Sequence, residues 1–214
     1  MPFTDPAVAA VFAEYADRAI SDRQRMRDLG EQGYERRDEF LLPVGEDVGL
    51  LLHSLILAQR PHRILELGTS YGYSTLFLAD AARAVGATVV SIDLADYKQH
   101  YAGERLTTAG LAAHVEFRCG DAVDLIAADE GEFDFVLLDV WKTLYVPCFE
   151  ALHPKLADEA ILVADNMISP ESARASVREY RAAVRAKGDM QQVLLTAGQG
   201  IDLAVKWSAD NPKL

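Results

Sequence analysis

From Arg63 onward the chain alternates short β-branched runs with helical stretches, and this repetition restricts the fold more than any other feature of the sequence. Strands are predicted at Arg63–Leu67, Thr88–Asp93, Val115–Cys119, Phe133–Asp139 and Ala160–Ala164. Helices are predicted to begin near Tyr73, Lys98, Ala122 and Leu144, with another over Glu171–Lys187. Parallel neighbours need crossover connections, so the repetition implies an α/β fold, a mostly parallel sheet with helices on both faces. The pattern then changes. Gln191–Thr196 and Ile201–Trp207, joined through Ala197-Gly198-Gln199-Gly200, read as a hairpin, which completes a seven-stranded sheet with an antiparallel tail. Ahead of the first strand, residues 7–19 place Val8, Val11, Phe12, Tyr15 and Ala19 on one helical face. Asp47–Gln59, apolar nearly all round, reads as a buried helix. A charged stretch, roughly Ser21 to Glu39, lies between them. At 214 residues without repeat or linker, one domain over 1–214 is expected, with helices in 1–60 covering the ligand site of a core in 61–214.

Charge narrows the function. The net charge is −12, from 21 bases against 33 acids, which argues against tight binding to nucleic acid or to anionic membranes. Residues 121–139 alone hold seven acids and no base. The longest stretch without a charge, Leu67 to Ala79, is shorter than the roughly 18 residues of a membrane-spanning helix. The opening residues, Met1-Pro2-Phe3-Thr4-Asp5, lack a basic start followed by an apolar run, so no secretory signal is expected. Cys119 and Cys148 form no CxxC, in keeping with a reducing, cytoplasmic setting.

The first strand runs into Glu66-Leu67-Gly68-Thr69-Ser70-Tyr71-Gly72-Tyr73-Ser74, a glycine-containing turn followed by a helix start. In open α/β sheets, ligands sit at the carboxyl ends of strands where the order reverses, and glycine there admits close backbone approach. The G-x-x-x-G spacing of Gly68 and Gly72 does not meet the dinucleotide fingerprint, which weakens a nicotinamide reading; a plain tight turn would use the same glycines. About 25 residues beyond Gly68, strand two ends in Asp93, where an acid can accept both hydroxyls of an adenosine ribose. Together the turn and the acid indicate an adenosyl cofactor. Strand four ends at Asp139 and strand five is followed by Asp165-Asn166. Two carboxylates and an amide oxygen form an all-oxygen set suited to Mg²⁺ or another hard divalent cation. A lone acid after a strand would more simply cap the next helix.

Glu66-Leu67-Gly68 with Gly72-Tyr73-Ser74 resembles the first motif of the S-adenosylmethionine-dependent methyltransferases with a Rossmann-like fold. From about Phe40 to Trp207 the chain is similar to the cation-dependent O-methyltransferases of the catechol and caffeoyl-CoA type. That resemblance implies S-adenosylmethionine as cofactor, with Val44, Glu66, Gly68, Thr69, Gly72, Ser74, Asp93, Asp121, Ala122 and Asp139 around it. It places Asp139, Asp165 and Asn166 at the metal positions and Lys142 at the general base. Phe40, Trp141 and Pro170 correspond to the apolar gate around a planar acceptor, and Tyr145 and Pro147 fit the pattern after the lysine. The implied reaction is methylation of a hydroxyl on a small aromatic, catechol-like compound, with a homodimer as a family-level expectation. Departures exist. Val140 stands where the catechol branch has histidine, Ala122 and Val123 replace polar adenine contacts, and Gln191–Leu195 supplies no acid for a second acceptor hydroxyl. Asp121 is therefore expected to approach the adenine amino group, and the other acids of 121–134 to be surface charge. Alternatives are a tRNA hydroxyuridine O-methyltransferase, for which Glu171–Lys187 offers five bases against two acids, and a non-catalytic adenosyl-binding module.

Overall fold

The computed structural model describes residues 3–207, so the outer limits of the expected 1–214 domain lie outside the described residues. Three helices, α1 (Pro6–Asp28), α2 (Glu31–Glu35) and α3 (Glu46–Gln59), precede the sheet. Then follow β1 (Arg63–Leu67), α4 (Tyr73–Val85), β2 (Thr88–Asp93), α5 (Asp96–Thr108), β3 (Val115–Cys119), α6 (Ala122–Ala128), β4 (Phe133–Leu138) and α7 (Tyr145–Leu152). β5 (Leu156–Ala164), α8 (Arg174–Ala186), β6 (Met190–Leu195) and β7 (Ile201–Lys206) complete the fold. The strand order is β3-β2-β1-β4-β5-β7-β6. All pairs from β3 to β5 are parallel, and β7 runs antiparallel to both β5 and β6. The expected seven-stranded, mostly parallel sheet with an antiparallel tail is what forms. From β1 the chain builds outward through β2 to β3 and then returns to place β4 on the other side of β1. That reversal opens a crevice at the carboxyl ends of β1 and β4.

Each face of the sheet has its own apolar layer. Phe3, Phe12, Tyr15 and Phe77 pack with Val48, Leu52 and Ile56 on one side, and Ile126, Tyr145, Phe149, Leu152 and Tyr180 on the other. Within β1, Ile64 belongs to the first layer and Leu65 and Leu67 to the second, the alternation a strand imposes. α3 is buried along one face rather than all round. Leu57 is 40% exposed, while Gly49 lies so close to α4 that a Cβ there would stand 2.6 Å from the Phe77 ring.

Several boundaries move. α1 continues through the charged stretch to Asp28, held by Arg18 and Arg25 on Asp22 and by Gln24 on Asp28 after the apolar stripe has ended. β4 stops at Leu138, leaving Asp139 in the loop, and β5 starts early at Leu156 across an irregular register. Two of the acids expected as surface charge are not. Asp129 is 7% exposed and paired with Arg63 and Arg118, and Asp134 accepts the backbone N–H groups of His62 and Arg63. No helix among the described residues is long and apolar enough to cross a membrane.

Candidate active site

The crevice is assembled from strand ends tied to one another. Gly68 N–H and Thr69 N–H donate to Ile92 O, Asp139 N–H to Leu67 O, and Asp165 N–H to Leu138 O. The loops after β1, β2, β4 and β5 therefore share one rim. Gly68 has φ +101°, and a Cβ there would lie 2.1 Å from Asp139 O; at Gly72 (φ +89°) it would meet Ala102 Cβ at 2.6 Å. Both glycines are thus required by chain packing: the first lets the β4 loop close over the turn.

Beneath the turn lies a buried polar network. Glu66 is fully buried and accepts hydrogen bonds from Ser74 Oγ, Thr75 Oγ1 and Ser91 Oγ, each at 2.6 Å. Burial pushes its carboxyl up to about 7 against the pull of these three donors. Ser91 Oγ also bonds Thr69 Oγ1 at 2.6 Å, and Gln99 Nε2 reaches Thr69 Oγ1, Ser91 O and Arg118 O at 3.1 Å each. The side chains of Glu66, Thr69 and Ser74 are therefore spent inside the fold, stiffening the turn from below. Asp93 faces the turn itself, accepting from Ser70 N–H at 2.7 Å and Ala95 N–H at 2.9 Å. Val44 is buried beside the β6–β7 turn, where a Cβ on Gly198 would come 3.4 Å from Val44 O. Asp121 caps α6, its Oδ1 accepting from Val123 N–H and Asp124 N–H, and Ala122 begins that helix. The capping role that a lone acid after a strand would be expected to fill thus falls to Asp121.

Asp139, Lys142, Asp165 and Asn166 come together. Lys142 Nζ lies 2.9 Å from Asn166 Oδ1 and 3.9 Å from Asp139 Oδ1. Asp165, 1% exposed, accepts Asn166 N–H at 2.6 Å through Oδ1 and Asn166 Nδ2 at 3.3 Å through Oδ2. Asn166 holds a left-handed backbone (φ +55°), which turns its amide back toward the lysine. Burial raises the Asp139 carboxyl; burial and then the Asp139 charge raise Asp165 to about 7. Burial lowers the Lys142 amine although both carboxylates oppose the shift. Tyr145 anchors the group. Its hydroxyl receives Lys142 Nζ and lies 3.1 Å from Leu138 O and 3.0 Å from Asp165 O, the ends of both carboxylate-bearing strands.

The three expected gate residues differ in exposure. Phe40 is buried, with the Arg25 guanidinium 5.6 Å from its ring centre. It also borders a surface hollow of about 420 Å³ with Arg25, Asp28, Leu29, Arg36 and Glu39, none of them carboxylate-pair neighbours. Trp141 is 46% exposed beneath Arg37, and Pro170 is exposed after a cis Ser169–Pro170 bond. Gln99 and the anchoring by Tyr145 were not assigned roles from the sequence. The available signal for Gln99 was a long polar residue on the inward face of α5.

A profile described as a methyltransferase domain matches residues 65–167. Catechol O-methyltransferase B of Danio rerio is 30% identical over 63% of this chain, which spans just over half (53%) of that protein's length. Probable O-methyltransferase Rv1703c of Mycobacterium tuberculosis is 32% identical over 73% of this chain and 68% of its own. Among solved structures, the O-methyltransferase TomG of Streptomyces achromogenes, in complex with SAM, superposes with a TM-score of 0.75 at 25% identity, covering 96% of this chain and 92% of TomG. A reversal between β1 and β4 with an acid at each neighbouring strand end, and this extent of similarity, make the chain a member of the S-adenosylmethionine-dependent O-methyltransferases of the catechol and caffeoyl-CoA type.

Proposed function

We propose that the protein transfers the methyl group of S-adenosylmethionine to a hydroxyl of a small aromatic, catechol-like acceptor, assisted by a divalent cation and with Lys142 as general base. The observation that carries this reading is the buried cluster: a lysine amine depressed by burial, held between two carboxylates and an amide oxygen. The donor set fits a hard cation. Among the described residues no group of three or more His, Cys, Asp or Glu side chains is placed for a metal ion; the oxygens that would hold one are those of Asp139 and Asp165 with Asn166 Oδ1, which here accepts Lys142 Nζ. Asp139 and Asp165 are two acids whose charged forms burial disfavours, with one lysine between them, and a cation would restore that balance. Bound there, Mg²⁺ would lower the pKa of an acceptor hydroxyl.

Asp93 and the turn backbone fit the adenosine end of the methyl donor: each Asp93 oxygen spends one lone pair on a backbone N–H and keeps another for a ribose hydroxyl. Glu66 and its three hydroxyl donors keep that turn rigid. Lys142 Nζ, its amine lowered by burial, accepts the acceptor's proton, while Tyr145 fixes the amine's position. The remaining requirement is near-attack alignment of oxygen and methyl carbon, which rigid strand ends serve. Along Glu171–Lys187, Arg174 pairs with Glu171, Arg181 with Asp202 and Lys187 with Glu150, so three of the five bases offered to a tRNA acceptor are already paired.

The test is labelled methyl transfer to catechols and hydroxycinnamoyl thioesters with Mg²⁺ and with chelator, alongside thermal unfolding. We expect cation-dependent transfer, abolished by Lys142→Met and Asp165→Asn. Mg²⁺ should raise the Tm of the wild type and not of Asp165→Asn. Full activity in chelator would refute the cation's part, and S-adenosylmethionine binding without turnover of any acceptor would favour a binding module.

A further inference from the structure

The charged side chains around the turn Arg37–Glu39 are not equivalent. Arg36 makes a two-point pair with Glu39 at 2.9 and 2.6 Å, and Asp38 is taken by the buried amine of Lys98 at 2.6 Å. Arg37 has no carboxylate partner among the described residues. Its guanidinium donates to Tyr34 O at 3.1 Å and lies 4.7 Å from the centre of the Trp141 ring. Arg37 is instead set against the ring of Trp141, the residue adjoining Lys142.

The arrangement polarises the site. Its floor holds Asp139 and Asp165 beside Lys142, and its rim holds Trp141 with a positive charge fixed over it. A guanidinium has five donors in a planar fork that matches a carboxylate, and only one of Arg37's is used internally. Stacking on Trp141 restrains the fork beforehand, so less freedom is lost when an anion docks. An uncharged acceptor would leave the remaining donors of that exposed fork to water.

We infer that the acceptor carries a carboxylate on its aromatic ring, across from the reacting hydroxyl, and that Arg37 selects for it. The inference rests on the proposed acceptor site beside Lys142. An arginine that merely shields Trp141 would produce no preference between acceptors.

The test compares 3,4-dihydroxybenzoate with catechol, by initial rates and by calorimetric binding, in the wild type, Arg37→Gln and Arg37→Lys. One well-formed charged contact corresponds to about a tenfold ratio. We expect the wild type to favour the carboxylate compound by about tenfold or more in kcat/KM, chiefly through KM. In Arg37→Gln the ratio should fall toward one, and Arg37→Lys should restore part of it. Equal kcat/KM for the two compounds in the wild type, or an equal loss on both in Arg37→Gln, overturns the inference while methyl transfer itself still stands. Absence of turnover and of binding for both compounds overturns the acceptor site and the inference together.

Discussion

Tyr145 shows how much one hydroxyl can hold. It has one proton and two lone pairs, and it meets Lys142 Nζ, Leu138 O and Asp165 O with no exposure to solvent. Tyr145→Phe keeps the ring packed against Tyr180 and removes only these contacts. Leu138 O keeps the Asp165 N–H, so at most the buried Asp165 carbonyl is left short of a donor, at a cost of about 1–3 kcal/mol of stability. The larger effect is on kcat, expected to fall about tenfold or more with acceptor KM little changed, because a displaced lysine harms alignment rather than binding. A parallel fall in 1/KM would assign Tyr145 to acceptor binding instead. Glu66 makes a second case. Its folded pKa, about 7, lies above its ordinary value of 4.5, so its contribution to stability is complete below about 4.5 and is lost as pH rises through 7. Each unit is about 1.4 kcal/mol, so roughly 3 kcal/mol is at stake. Urea unfolding of wild type and Glu66→Gln at pH 5 and pH 8 isolates it: the wild type should lose ground to the variant at the higher pH, and parallel behaviour would exclude this role.

Turns and strand ends are where the sequence was both most and least informative. Strands β1 to β3 were legible to the residue because β-branched runs there are bounded by turn residues and helix starts. α1 was read short because its last turns are held by ion pairs around the buried Asp22, which carry no apolar period. β5 was read short because Asp158-Glu159, with Glu159 in a left-handed conformation, interrupts its pattern while pairing continues. The carboxylate cluster was legible because strand ends mark the rim of such sheets; the interior destination of Glu66 and Thr69 was not, since a hydroxyl's partners depend on which strands become neighbours. At Gly68 the element's requirement can be measured against a control. Gly86 also has a positive φ (+79°) but nothing within 4 Å of a built Cβ, whereas Gly68 meets backbone at 2.1 Å. Gly86→Ala should cost about 1 kcal/mol from backbone strain alone. Gly68→Ala should cost about 3 kcal/mol or more, and it should depress methyl transfer beyond its loss of stability because Asp139 must move. Equal effects in the two variants would show that the β4 loop yields freely.

At the scale of the molecule, Asp129 ties the amino end of β1 to β3 and to the end of α6. Arg63 Nη1 and Nη2 reach its two oxygens at 2.7 and 2.6 Å, Arg118 Nη1 adds a contact at 2.6 Å, Gly131 N–H donates at 2.8 Å, and Lys155 Nζ binds its carbonyl. This junction joins the start of β1 to Arg118 near the carboxyl end of β3, so it braces the sheet that the rim is built on. The Arg63 guanidinium first, then Arg118, holds the carboxyl well below its usual range. A depressed carboxyl contributes stability that is present above its unfolded value of 3.8 and is lost as pH falls through the folded one. The sign is opposite to that of Glu66. Stability is therefore eroded toward acid pH as Asp129 is protonated and toward alkaline pH as Glu66 ionises, where the excess of acids adds repulsion. Asp129→Asn would leave two guanidinium groups facing a neutral amide in a mostly buried setting, at a cost of about 3 kcal/mol near neutrality. Urea unfolding midpoints should then differ between wild type and variant at pH 7 and converge as pH is lowered toward 2. A gap that stays constant across that range would assign the loss to packing rather than to charge.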